Sequence, residues 1–148
     1  MRVLLQRVSE ASVQINHKIH SNIGAGILVL LGIENADDET DITWLVNKIV
    51  QLRVFPDDEG KMNRSVQDIS GEVLIVSQFT LHARVKKGAR PSFTEAAKPN
   101  IAIPLYNKFI AEMKKHVKTQ TGDFGEDMKV QLINDGPVTL WIDSKRRE

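Results

Sequence analysis

Hydrophobic and polar positions nearly alternate from Arg7 to Ile15 (RVSEASVQI), and apolar residues dominate Val3 to Leu5 ahead of them. A period of two belongs to a strand with one buried face, so Val3–Ile15 reads as a long half-buried strand. Asn16-His17-Lys18 supplies a hairpin turn, with a short return strand near Lys18–Ile23. Ile27 to Ile33 (ILVLLGI) shows no alternation; a short continuous apolar run suits a strand covered on both faces. The period then changes. Ile42, Leu45, Val46 and Ile49 fall at i, i+3, i+4 and i+7 behind the capping-rich ENADDET, which predicts a helix over 40–52.

The stretch RVFPDDEGKMNRSVQDISGE is polar and rich in turn formers, and reads as a surface loop. Val73–Val76 predicts a short apolar strand that runs into SQFTL, and the basic loop HARVKKGARP follows. Ser92 and Glu95 have capping-box spacing, which predicts a short helix ended by Pro99. Pro104 predicts the first turn of another, whose stripe Leu105, Phe109, Met113 and Val117 runs to about Lys118, with Gly122 as the stop. Met128–Ile133 and Val138–Ile142 predict two last strands joined by NDGP, before a charged KRRE tail. Strands at the two ends with helices between them favour an α+β layered fold over a repeated βαβ unit. With 148 residues, 16.6 kDa and no repeat or linker, one domain over 1–148 is expected.

Composition narrows the chemistry. The chain has no cysteine, which removes disulfides, thiolate catalysis, Cys-ligated zinc and iron–sulfur clusters and accords with a cytoplasmic protein. No stretch approaches the ~20 apolar residues of a membrane span, and MRVLLQRVSEASVQI lacks the long apolar core of a signal peptide. The formal charge of +1, from 20 basic and 19 acidic residues, argues against coating of a long nucleic acid. It leaves room for a local contact with a nucleic-acid end. His17, His20, His82 and His116 form no HxH or HExxH pattern, and P-loop, dinucleotide and nucleophile-elbow signatures are missing. No metal or cofactor is expected.

Three constellations remain. Ser77-Gln78-Phe79-Thr80-Leu81 ends a buried strand in three hydrogen-bonding side chains around one aromatic. It is either a site on a rigid base, with backbone donors for an oxyanion, or a strand that turns polar at the surface. No base stands beside Ser77 or Thr80 as an activated nucleophile requires. Arg84, Lys86, Lys87 and Arg90 place four cations in seven residues around Gly88: a phosphate clamp or a solvated loop, with Phe93 as its apolar anchor or as core. In Asn134-Asp135-Gly136-Pro137, Asp-Gly is a hairpin signal, yet the proline lacks a donor and fits poorly in a paired strand. Either this is an ordinary turn entering an edge strand, or the Gly-Pro backbone itself does the work.

Taken together, MRVLLQRV, RVFPDDEGKMNRSV, SQFTL, KKGARPSF and NDGPVT resemble, in order and from end to end, the D-aminoacyl-tRNA deacylases, also called D-tyrosyl-tRNA deacylases. Ala89 departs from the family pattern, where a more polar residue such as Asn is expected; that touches only a detail of the loop. The resemblance implies a homodimer of layered β/β/α subunits with two active sites at the dimer interface. It implies hydrolysis of the ester between a D-amino acid and the 3′-terminal adenosine of tRNA. Ser77, Gln78, Phe79 and Thr80 would line the catalytic pocket. A cis Gly136–Pro137 peptide would reach into the partner subunit's site as a chirality filter, held by Arg7; a filter that acts by clash would also admit mischarged glycyl-tRNA, which has no side chain to exclude. The expected mechanism uses the Phe79 and Thr80 N–H groups on the oxyanion, with Gln78 positioning substrate or water. Its rivals are a Thr80 nucleophile, a non-catalytic module binding the tRNA 3′ end, and a purely structural dimer.

Overall fold

A computed structural model describes residues 1–86 and 88–147. Strand β1 (Arg2–Ile15) organises it. Its first half pairs with β3 (Gly26–Gly32), from Arg2↔Gly32 to Val8↔Gly26. Its second half pairs with β2 (Lys18–Ile23), from Ala11↔Ile23 to Ile15↔Lys18. Between the two sets, Ser9 and Glu10 are exposed, and the strand passes there from one layer to the next. Beyond β3 lie β6 (Glu72–Ser77) and β7 (Lys118–Thr121), each parallel to its neighbour. Strand β8 (Lys129–Asp143) runs along the other side of β1 for nearly its whole length.

Two cores follow from this path. Val3, Leu5, Ile27, Val29, Leu31, Val73 and Ile75 face the helices α1 (Glu39–Gln51) and α2 (Pro99–Lys114). Leu28, Leu74 and Val76 face the other way, against Val8, Ala11 and Val13 from the second half of β1. Strands β3 and β6 are thus covered on both faces, which is why ILVLLGI shows no alternation. The layers run helix, sheet, sheet, an α+β arrangement. Helix α1 starts where its sequence predicts: Asp38 accepts from the Thr40 N–H, and Asp41 reaches back to the Asp38 N–H at 2.9 Å.

Elsewhere the chain departs from its local pattern. No helix begins at Ser92; it exchanges both backbone hydrogen bonds with Arg84, at 2.8 and 3.0 Å, which holds it extended. Pro99 opens α2 instead of ending a helix, because a proline at the first helical position lacks only a donor that would be unpaired anyway. Pro104 therefore lies inside α2, not in its first turn. The segment Lys118–Thr121 is an edge strand whose polar sequence gives no apolar signal, so β7 is not predicted. The polar stretch after α1 holds a small hairpin of β4 (Phe55–Pro56) and β5 (Met62–Arg64), and Val54, Phe55 and Val66 enter the core.

The last two strands are one. Asn134 pairs with Val8 and Thr139 with Gln6, both antiparallel to β1. Only Arg7 stands between Gln6 and Val8, whereas Asp135, Gly136, Pro137 and Val138 stand between Asn134 and Thr139. NDGP is therefore a bulge looped out of β8 and not a hairpin turn. Proline is tolerated there because the ladder is already interrupted.

Candidate active site

The end of β6 builds the first part. Ser77 is the last paired residue, opposite Leu31, and the Gln78 N–H donates to Leu31 O at 2.8 Å. The chain then tightens into a 3-10 turn over Phe79–His82. The N–H groups of Leu81 and Ala83 are spent inside it, on Gln78 O and Thr80 O. Those of Phe79 and Thr80 have no hydrogen-bond partner among the described residues, as the opening of a helical turn requires. The Gln78 side-chain amide donates to Thr80 Oγ1. Arg2 fastens the turn from behind: its guanidinium donates to Leu81 O at 3.1 Å and to Asp143 Oδ2 at 3.0 Å.

Ser77, Gln78 and Phe79 stand beside a cavity of about 280 Å3, otherwise mostly apolar, with Leu31, Ala97, Ala102, Phe124 and Met128 in its wall. Phe79 is 55% exposed and meets Phe93 edge to face, with ring centroids 5.1 Å apart. Phe93 is thus part of the rim. The remaining wall residues come from three separate segments and carry no shared sequence signal. Gly136, Pro137 and Arg7 do not line this cavity.

Those three form a second group. The Gly136–Pro137 peptide is cis. Arg7 is nearly buried, and its guanidinium donates to Asp135 O at 2.9 Å and to Val54 O. Gly136 has φ +126°, and a Cβ on it would lie 2.4 Å from Arg7 Nη2. The arginine therefore occupies the space a side chain would need. Asn134 staples the bulge from both ends, accepting from the Val138 N–H at 3.1 Å and donating to Thr139 Oγ1 at 2.9 Å. Gly136 and Pro137 themselves are exposed. Within one chain, then, the bulge is held at several points and exposed, and it is not part of the cavity wall.

The basic loop projects from the Arg84–Ser92 bridge. Arg84 is paired with Glu95, and its hydrogen bond holds the Glu95 carboxyl below the usual carboxylate range. Lys86 and Arg90 are exposed and make no ion pair among the described residues; Lys87 lies outside the described residues.

One residue here had no role in the sequence beyond failing to form a metal motif. His82 ends the 3-10 turn, is 0% exposed, and neither ring nitrogen has a hydrogen-bond partner among the described residues. The Gly32 backbone lies against the ring without hydrogen-bonding geometry, and Glu34 Oε2 is 3.9 Å from Nδ1. Burial pushes its pKa below the ordinary histidine value, and Arg2 adds to this against Glu34. The folded protein thus keeps the ring neutral where the unfolded chain, with a histidine pKa of ~6.5, takes up a proton. Stability is expected to fall as pH drops below about 6.5, by at most ~1.4 kcal/mol per pH unit, until the folded form is protonated too. Urea midpoints between pH 7.5 and 5 would measure this. His82→Leu should flatten the slope over that window; an unchanged slope would place its source elsewhere.

Solved structures share this fold. One described as a probable eukaryotic D-amino acid tRNA deacylase superposes with a TM-score of 0.81 at 18% identity, over 95% of this chain and 97% of its own, a likeness of fold. One described as a c-Myc DNA unwinding element binding protein superposes with a TM-score of 0.92 at 41% identity, over 97% of this chain and 98% of its own. A D-aminoacyl-tRNA deacylase of Cytophaga hutchinsonii is 59% identical over the full length of both chains. The profile of the family described as D-Tyr-tRNA(Tyr) deacylase matches residues 4–143. This chain belongs to that family.

Proposed function

We propose that the protein hydrolyses the ester between a D-amino acid and the 3′-terminal adenosine of tRNA, acting in the cytoplasm as a homodimer in which each Gly136–Pro137 bulge completes the partner's site. The observation that carries this is the pair of unspent N–H groups on Phe79 and Thr80, at the start of a turn whose Phe79 borders a largely apolar cavity on the end of a buried strand. Family membership supplies the substrate class. The exposed bulge, fixed by Arg7 yet absent from the cavity wall of its own chain, supports completion from a second subunit.

In this reading water attacks the ester carbonyl carbon. The oxyanion that forms accepts hydrogen bonds from Phe79 and Thr80, an interaction that strengthens as charge develops. Collapse breaks the bond from carbon to the 3′ oxygen, which leaves carrying the proton given up by the attacking water, relayed by the neighbouring 2′-hydroxyl. The products are the free D-amino acid and tRNA. Gln78 positions substrate or water. The cavity beside Ser77 takes the amino-acid side chain, and the Gly136–Pro137 backbone closes the opposite side, where an L side chain would collide with it. Backbone atoms suit this task because the filter must ignore side-chain identity. Lys86, Lys87 and Arg90 would contact tRNA phosphates, with Arg84 anchoring the loop through Glu95.

Thr80 makes a poor nucleophile here. Its hydroxyl accepts from the Gln78 amide, which is not a base, and no histidine or carboxylate bonds to it among the described residues. Thr80→Ala is therefore expected to keep at least a third of the wild-type rate. The assay compares release of tyrosine from D- and L-tyrosyl-tRNA with a chelator present. Release from the D form alone supports the proposal. Protection of D-tyrosyl-tRNA without turnover would favour a binding module, and an acyl adduct on Thr80 would replace the mechanism.

A further inference from the structure

An open groove of about 800 Å3, separate from the cavity, touches the same 3-10 turn. Leu140, Trp141, Ile142 and Asp143 line it consecutively, so it follows the edge of β8 and not one face. Trp44 and Lys48 of α1 form the opposite wall. Leu81 and Ala83 close one end, and they continue the turn that begins at Phe79.

The groove concentrates charge and aromatic surface in a chain whose net charge is only +1. Lys48, Arg146 and Arg147 line it, and none of them has a carboxylate partner among the described residues. Arg147 stacks on Trp44 at 4.7 Å, with Lys48 5.9 Å from the same ring. Trp141 is 52% exposed, with Arg2 5.8 Å from its ring. Cations interleaved with aromatic rings, one of them the half-exposed Trp141, are what a single nucleic-acid strand uses: phosphates on the cations, bases on the open ring. We propose that this groove holds the single-stranded 3′ end of tRNA upstream of the terminal adenosine. The inference rests on the hydrolase reading, which places that adenosine at the catalytic turn. The strand leading to it then leaves past Leu81 and Ala83 along β8. This contact is separate from the loop Arg84–Arg90.

The protein carries its own probe. Trp44 and Trp141 are the chain's two tryptophans, and both line the groove. Titration of the full chain with a short single-stranded RNA ending in CCA should quench tryptophan emission saturably. Arg146→Ala with Arg147→Ala should raise the half-saturation concentration at least tenfold. The double variant should also lower kcat/KM for D-tyrosyl-tRNA about tenfold, and by less for D-tyrosyl-adenosine, which lacks the upstream strand. Absence of quenching in the wild-type protein overturns the groove and leaves the hydrolase reading standing. Emission that shifts with protein concentration and ignores RNA also overturns it, showing that a second copy covers the groove. Equal losses on both substrates would show that the arginines act on the fold. Quenching without any hydrolysis would sink the catalytic reading instead.

Discussion

Gly136→Ala is expected to remove at least nine-tenths of deacylase turnover while the protein stays folded. The glycine sits at φ +126°, where L residues are strained by about 1–3 kcal/mol. The added methyl carbon would lie 2.4 Å from Arg7 Nη2. Arg7 cannot yield freely, since it is tied to both Asp135 O and Val54 O and is nearly buried; losing hydrogen bonds from a charged donor costs about 1.5–3 kcal/mol. The bulge must move instead, and a wall displaced by 1 Å no longer stands where the substrate meets it. Gly60→Ala is the matched control. It imposes a left-handed strain at φ +79°, but nothing lies within 4 Å of the new carbon. It should lose stability and keep turnover. A Gly136→Ala enzyme with wild-type kcat/KM would remove the bulge from the active site.

Glycyl-tRNA should be hydrolysed while L-alanyl-tRNA resists, with rates more than ~200-fold apart although the substrates differ by one methyl group. A pocket that rewards a methylene gains only ~1–3 kcal/mol, or about 10–200-fold, so affinity alone does not reach this ratio. Exclusion by a fixed backbone does, because a clash has no comparable ceiling. Glycine offers nothing to exclude. The bulge suits the role: Asn134 and Arg7 hold it at several points, and its exposed Gly136 and Pro137 carry no polar side chain. Release of glycine, D-alanine and L-alanine from the charged tRNAs at equal enzyme concentration decides it. If glycyl-tRNA resists as L-alanyl-tRNA does, the D side chain is recognised positively and the filter reading is wrong.

Where local pattern and tertiary role agree, the sequence was sufficient. The alternation of β1, the unbroken apolar run of β3 and the stripe of α1 each reflect how many faces are covered. It misled where long-range pairing decides. Ser92 has the residues of a helix cap, but Arg84, eight positions earlier, takes its backbone bonds. Asp-Gly predicts a turn, yet both flanks find the same neighbour, β1, so the chain continues. Ser77 to Thr80 stood out as polar residues ending an apolar strand. Their spare donors arise from the 3-10 turn that follows, which no residue pattern announces. His82 passed unnoticed because burial of a lone histidine leaves no mark in sequence.

Strand β1 also imposes a limit on length. Arg2 fastens the Phe79–His82 turn through Leu81 O, and Arg7 fastens the bulge through Asp135 O. A single extended strand therefore meters the two parts, with five residue steps of ~3.3–3.4 Å, or ~17 Å, between the two arginines. Val3 and Leu5 between them must stay apolar for the core, and the number of residues is fixed as well. Inserting or deleting one residue there would change the interval and also reverse which face each later side chain takes. Insertions should be accepted at Asp58–Gly60, where the chain is solvent-exposed and fixes no such interval.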